Sequence, residues 1–273
     1  MNKPAETGVA TVNGAELHYE IRGSGPALVL IHAGIADRRM WDEQVAAFAE
    51  HFRVIRYDLR GFGATVQPRG EFSHLADLAG LLEALGVGRT HVLGCSKGGS
   101  IALDYALEYP ERTGAVVFVA SVPSGYTSES DVPPAQWEEM VAAYKAGNFE
   151  RAAALEAEIW VAGPSRTAGQ VEAGILRRVA EMDVIALRNE AAELGQERPA
   201  AVPAVKRLGR LAEPLLIVAG DLDDPDVVAA GEWLAAQVPG ARRVVVSGTA
   251  HFPNMERPEA FNRVVLEFLS RRL

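Results

Sequence analysis

Runs of apolar residues along the chain follow two periods, and they alternate. Near the start, "GVATV" and "ELHYEIRG" flank Asn13-Gly14, the pair preferred in a two-residue turn with positive φ, which predicts a hairpin. "ALVLIH" (27–32) is continuously apolar, as a strand buried on both faces is. "MWDEQVAAFAEHF" (40–52) has helical spacing, and "RVIRYD" (53–58) is again strand-like. "SHLADLAGLLEALG" (73–86) predicts a helix with Ser73 as N-cap and Gly86 near its C-terminal end. "THVLG" (90–94), "GGSIALDYALEYP" (98–110) and "AVVFVAS" (115–121) continue the rhythm as strand, helix and strand.

The rhythm then breaks. From about Val122 to Ala212 the pattern is helical, rich in Ala and Glu, with no convincing strand. "PPAQWEEMVAAYKAG" and "FERAAALEAEIWVAG" read as two helices, and "AGQVEAGILRRVAEMDVIALRNEAAEL" as one or two more. Alternation resumes with "PLLIVAG" (214–220), "DVVAAGEWLAAQV", "RRVVVSG" and the final helix "PEAFNRVVLEFLSRRL". Alternating strands and helices imply right-handed crossovers and an α/β fold with a mostly parallel sheet of about eight strands, the hairpin antiparallel at one edge. Residues 1–121 and 213–273 would form the core. Residues 122–212 would be an insertion leaving the C-terminal edge of a strand, where open α/β sheets bind ligands, and so would serve as a cap or lid. Its expected linkers are "VPSGYTSESDVPP" and the segment around "ERPAAVPA".

Charge and composition narrow the functions. The net charge is −9, and no basic stripe with interleaved aromatics is visible, which argues against nucleic acid. The first residues, "MNKPAETGVATVNG", lack the apolar core of a signal peptide, and no apolar run reaches membrane-spanning length. The single cysteine, Cys95, cannot form an internal disulfide; a cytoplasmic location and no membrane partner are the expectation. No His, Cys, Asp or Glu spacing suggests a metal, and no complete phosphate-loop pattern is present, so neither metal nor cofactor is expected.

Chemistry concentrates in "LGCSKGG". Residues 94–98 fit G-x-S-x-G between a strand and a helix, the setting of a nucleophile elbow. The glycines allow backbone segments to approach closely around a strained serine, Ser96. The Lys97 N–H, at the start of a helix, would point where an oxyanion forms. Cys95 would be a packed neighbour, because a cysteine nucleophile would have to occupy the middle of the motif. A serine needs a base, and the base an orienting acid, in the chain order Ser, acid, His. Of six histidines only His251 lies in a loop after the last strand. His18, His51, His74 and His91 fall in strands or at helix ends and read as surface or packing residues. His32 precedes Ser96 and is expected to pin loop backbone. Four carboxylates in "DLDDPD" compete as the acid: Asp221, Asp223, Asp224 and Asp226. Asp226 reads as a helix N-cap, and Asp221 follows its strand at once. The second oxyanion donor would be the N–H of Gly34, two residues past His32.

The segments "IHAGIADRRMWDEQ", "YDLRGFG", "LGCSKGG", "VAGDLDDPD" and "GTAHFPNMERPEAFNRVVLEFL" together resemble the alpha/beta-hydrolase superfamily over nearly the whole chain. The resemblance implies Asp223 as the acid, three residues past Gly220, with Asp224 as second choice. It also places Gly34 at the donor position of a His-Gly-x loop, although Ala33 stands where that loop usually has glycine. Among subgroups the chain is similar to small bacterial esterases and to enol-lactonases of aromatic degradation.

The expected function is therefore a cofactor-free serine hydrolase of carboxylic esters or lactones, acting on a small molecule as a monomer or homodimer. Its catalytic residues would be Ser96, Asp223 and His251, with oxyanion donors at Gly34 and Lys97. The Lys97 side chain is expected to form an ion pair with Asp37 or with an acid of the cap. Trp137, Tyr144, Phe149, Trp160 and Met182 are candidates for an apolar pocket wall, although residues at helical spacing more often form the core of the cap itself. Two other readings stand beside this one: C–C bond hydrolysis, lyase or cyclase chemistry on the same scaffold, and a ligand-binding protein without turnover.

Overall fold

A computed structural model describes residues 5–128 and 133–270. The strands are β1 (Glu6–Val12), β2 (Ala15–Arg22), β3 (Ala27–Ile31), β4 (Arg53–Tyr57), β5 (Gly70–Phe72), β6 (Thr90–Cys95), β7 (Thr113–Val119), β8 (Gly195–Glu197), β9 (Leu215–Gly220) and β10 (Arg242–Val246). The helices are α1 (Asp42–Phe48), α2 (His74–Ala84), α3 (Lys97–Glu108), α4 (Trp137–Lys145), α5 (Phe149–Ala157), α6 (Ala173–Ala191), α7 (Pro225–Gln237), α8 (Pro253–Glu256) and α9 (Pro258–Ser270).

Eight strands form one sheet in the order β1-β2-β4-β3-β6-β7-β9-β10. β1 and β2 pair antiparallel through a turn at Asn13 (φ 47°) and Gly14 (φ 78°), at the sheet edge as the Asn-Gly pair predicts. β2 also runs antiparallel to β4, and the remaining neighbours are parallel. The continuous apolar runs are explained by burial on both faces. In β3, Val29 and Ile31 enter the cluster under α2 and α3, whereas Leu28 and Leu30 enter the one under α1 and α9. β7 divides likewise, with Val116 and Phe118 on one side and Ala115, Val117 and Val119 on the other. Each such aliphatic side chain contributes roughly 1.5–3 kcal/mol by leaving water.

Strand order places the site. From β3 the chain steps outward to β4, then crosses back through α2 to β6 on the other side of β3. The direction of winding therefore reverses between β3 and β6. The loop after β3, carrying Gly34, and the turn after β6, carrying Ser96, leave from adjacent C-terminal strand ends. A crevice opens at such a switch point.

Between β7 and β9 lie α4, α5, a π-helical turn at Glu158–Ala162 that continues α5, and α6. Part of the expected linker "VPSGYTSESDVPP", residues 129–132, lies outside the described residues, as do residues 271–273 of the final predicted helix. Two differences from the sequence pattern stand out. The segment contains a strand, β8, which pairs in parallel with β5 in a separate two-stranded sheet. Each of these strands is only three residues long, too short for a period to show. The N-cap of α7 is Asp224, whose Oδ1 accepts from the Asp226 N–H at 2.8 Å, so Asp226 is the residue capped and not the cap.

Candidate active site

Ser96 sits between β6 and α3 at φ 51°, ψ −121°, a conformation that a non-glycine residue adopts only under constraint. The constraint comes from close packing. A Cβ at Gly94 would lie 2.0 Å from the Gly98 carbonyl oxygen, and one at Gly98 would lie 2.2 Å from the Ile31 oxygen. Ser96 N–H donates to the Val119 carbonyl at 2.9 Å, and its own carbonyl accepts from Ser121 Oγ at 2.6 Å. The backbone is thus clamped, while Oγ makes no hydrogen bond among the described residues and is free to turn.

His251 follows β10 in a buried loop. Its Nδ1 lies 3.0 Å from both carboxylate oxygens of Asp223, and both side chains are almost fully buried. In the neutral ring an acceptor on that side favours the tautomer with the proton on Nδ1 and the lone pair on Nε2. The loop is held by the Glu256 carboxylate, which accepts from the Ala250 N–H at 2.7 Å and pairs with Arg166 at 2.7 Å. The His251 carbonyl lies 3.6 Å from Cys95 Sγ, which brings this loop against the residue before Ser96. Trp160, on the π-helical turn, lies with its ring 4.6 Å from the His251 ring, and its carbonyl accepts from the His251 N–H at 3.3 Å.

The four competing carboxylates separate cleanly. Asp223 meets His251, and Asp224 caps α7. Asp221 accepts from Ser247 Oγ and the Gly248 N–H, which hold its carboxyl below the usual range against the opposing effect of burial. Asp226 supplies the N–H that Asp224 caps.

Gly34 and Lys97 face each other, since a Cβ at Gly34 would lie 3.6 Å from Lys97 Cβ. Neither N–H is taken up in the turn and loop backbone network of the described residues. His32 pins the loop after β3, with Nδ1 2.7 Å from the Ala33 carbonyl and Nε2 accepting from the Leu59 N–H at 2.9 Å. Burial lowers its pKa, which keeps the ring neutral in this donor–acceptor pattern. Lys97 Nζ pairs with Glu197 at 2.5 Å. Asp37, the other expected partner, instead binds Arg39. The Lys97–Glu197 pair is about one-third exposed on each side, so it adds little stability. Burial pushes the Cys95 thiol well up, which leaves it protonated and inert.

A cavity of about 380 Å³ opens beside Gly34 and Lys97. None of the five expected wall residues lines it. Trp160 lies tilted against His251, Met182 joins the core, Tyr144 and Phe149 pack together at 5.8 Å, and Trp137 is 40% exposed. Its apolar lining comes instead from Phe62, Phe72 and Leu187. His74, expected as surface or packing, is buried and lines the same cavity. Desolvation, then Lys97, lowers its pKa well below the usual histidine value.

Glu156 and Asp183 are among the cavity carboxyls that escape sequence reasoning. Their side chains meet, and burial with the neighbouring Glu156 pushes the Asp183 carboxyl up to about 10. The signal was present: Val179, Met182, Ala186 and Leu187 form the buried stripe of α6, and Asp183 interrupts it. Asp183 is protonated in the fold but ionised in the unfolded chain between about pH 4 and 10, so unfolding releases a proton and stability falls as pH rises. Urea titrations at pH 5 and pH 9 should show Asp183→Asn gaining on the wild type over that interval, by on the order of 5 kcal/mol if one full proton is released on unfolding throughout. A pH-independent difference would contradict the shared-proton reading.

Among the described residues no group of three or more His, Cys, Asp and Glu side chains is placed to hold a metal ion, and no helix is long and apolar enough to cross a membrane.

Residues 26–258 match the family model for the alpha/beta hydrolase fold; the chain belongs to that family. It is 30% identical over 270 residues to a 2-hydroxy-6-oxononadienedioate/2-hydroxy-6-oxononatrienedioate hydrolase of Burkholderia vietnamiensis, covering 95% of this chain and 93% of the relative. It is 26% identical over 261 residues to a pimeloyl-[acyl-carrier protein] methyl ester esterase of Nitrosomonas europaea, covering 90% and 97%. Among solved structures, the enol-lactonase from Burkholderia xenovorans superimposes with a TM-score of 0.77 at 28% identity, covering 96% of this chain and all of that one.

Proposed function

We propose that the protein is a serine hydrolase that cleaves a carboxylic ester or lactone through an acyl-enzyme. The observation that carries this reading is the buried Asp223–His251 pair, 3.0 Å apart, lying against the strained turn at Ser96. In this scheme Ser96 Oγ attacks the carbonyl carbon while His251 Nε2 takes its proton. Asp223 holds the Nδ1–H and stabilises the imidazolium that forms. The N–H groups of Gly34 and Lys97 receive the oxyanion, and each such donor typically lowers the barrier by about 2.7–4 kcal/mol. His251 then protonates the leaving alkoxide, which in a lactone stays tethered to the acyl chain. Water, activated by the same imidazole, releases the acid. The scheme uses no cofactor or metal. Residues 122–212 act as a cap, with Trp160 closing over the His251 ring.

C–C bond cleavage is the second reading, and the B. vietnamiensis relative's name favours it. Stopped-flow hydrolysis of a p-nitrophenyl ester tests the first. A burst of nitrophenolate stoichiometric with enzyme supports it; absence of both burst and steady turnover, with a vinylogous diketone cleaved instead, supports the second.

A further inference from the structure

The proposed reaction makes no use of Glu156 and Asp183, yet both line the cavity that reaches Gly34 and Lys97. Asp183 projects from α6 and is 1% exposed; Glu156 comes from α5. The two carboxyls hydrogen-bond to each other, and Asp183 Oδ2 accepts from no N–H or O–H of any other described residue. A proton shared between the two carboxyls relieves their mutual repulsion but leaves one negative charge and free lone pairs on the cavity wall. Leaving such a group unpaired is unfavourable by about 1–3 kcal/mol or more.

The rest of the wall does not neutralise the pair. The further charge acting on both carboxyls is another carboxylate, Glu190, which also lines the cavity. Two cations line it, and each is already engaged. Arg60 binds the Asp77 carboxylate at 2.5 and 2.8 Å, and Lys97 is held by Glu197. The cavity thus presents uncompensated negative charge and an unfilled acceptor at one end, and oxyanion donors at the other. A ligand group bearing several N–H donors and a positive charge satisfies the acid end, whereas a carboxylate there meets like charge.

We propose that Glu156 and Asp183 form a subsite for a primary ammonium group, so that the substrate is an ester or lactone carrying an amine. The substrate part of this statement rests on the hydrolase reading; the subsite itself does not.

Calorimetric titration of the whole protein with n-hexylammonium, 1-hexanol and hexanoate reads the subsite without turnover. Hexylammonium should bind at least about tenfold more tightly than either of the others. Glu156→Gln and Asp183→Asn should each reduce that preference at least about fivefold, provided circular dichroism shows the variant folded. The wild-type series alone is decisive if neither variant folds. Equal affinities, tighter hexanoate, or a preference that survives in both folded variants overturns the proposal. A second arm compares the p-nitrophenyl esters of 6-aminohexanoic and heptanoic acids, which differ by an ammonium in place of a methyl. Preferential turnover of the amino ester supports both readings. Ammonium binding without turnover of either ester rejects the hydrolase reading and leaves the subsite standing. Turnover of both esters without ammonium preference rejects the subsite and leaves the hydrolase.

Discussion

Replacing Ser96 by alanine is expected to lower kcat for an activated ester by on the order of 10⁴- to 10⁶-fold while the protein remains folded. The size follows from the role. On the proposed mechanism, loss of Oγ removes the acyl-enzyme and leaves His251 and Asp223 nothing to activate. What persists is ester bound near two N–H donors, and such sites retain about 10³–10⁴-fold over water. The fold survives because the clamps on this residue are backbone hydrogen bonds, the Ser96 N–H to Val119 and the Ser121 hydroxyl to the Ser96 carbonyl. Alanine also suffers no more than serine from φ 51°. Steady-state kinetics with an unchanged melting curve check both halves. If Ser96 were only a turn residue, the folded variant would turn over ester at the wild-type rate.

Replacing Gly98 by alanine should destabilise the protein by roughly 3 kcal/mol or more and abolish activity with it. The added Cβ would lie 2.2 Å from the Ile31 oxygen and 2.6 Å from the His32 oxygen. These are backbone atoms at the end of β3, a central strand paired on both sides, and cannot yield without disturbing the sheet. α3 would have to lift away, moving Ser96 and the Lys97 N–H together. Gly88→Ala is the control: nothing lies within 4 Å of its Cβ position, and it should stay within about 0.5 kcal/mol of the wild type. Urea denaturation of the two variants measures the difference.

Gly98 belongs to a motif whose strand–turn–helix setting is legible from "THVLG" and the apolar helix beyond it, because strands buried on both faces leave unbroken apolar runs. His251 could be singled out by chain order among six histidines. The acid could not be singled out by residue type alone, since "DLDDPD" offers four equivalent carboxylates and their tasks depend on where a turn points each one. Resemblance to a family selected Asp223, and it is Asp223 that meets His251. The pairing of β5 with β8 is invisible locally, because Gly70–Phe72 and Gly195–Glu197 become strands only through contact across more than a hundred residues. The cavity wall is not legible in sequence for a related reason. In the 122–212 segment Tyr144 and Phe149 pack together, Trp160 lies against His251, Met182 joins the core and Trp137 is exposed, while Glu156 and Asp183 line the cavity. An aspartate on the buried stripe of α6 is a visible anomaly in sequence, but its partner lies on another helix.

The central claim is that the Ser96 hydroxyl is an activated nucleophile. A fluorophosphonate probe reacts covalently only with such a group, and peptide mapping by mass spectrometry locates the adduct. The account predicts one phosphonyl group per chain on the peptide containing Ser96, with labelling lost in His251→Ala. A protein that hydrolyses esters yet stays unlabelled at Ser96, or carries the label on another residue, would contradict it.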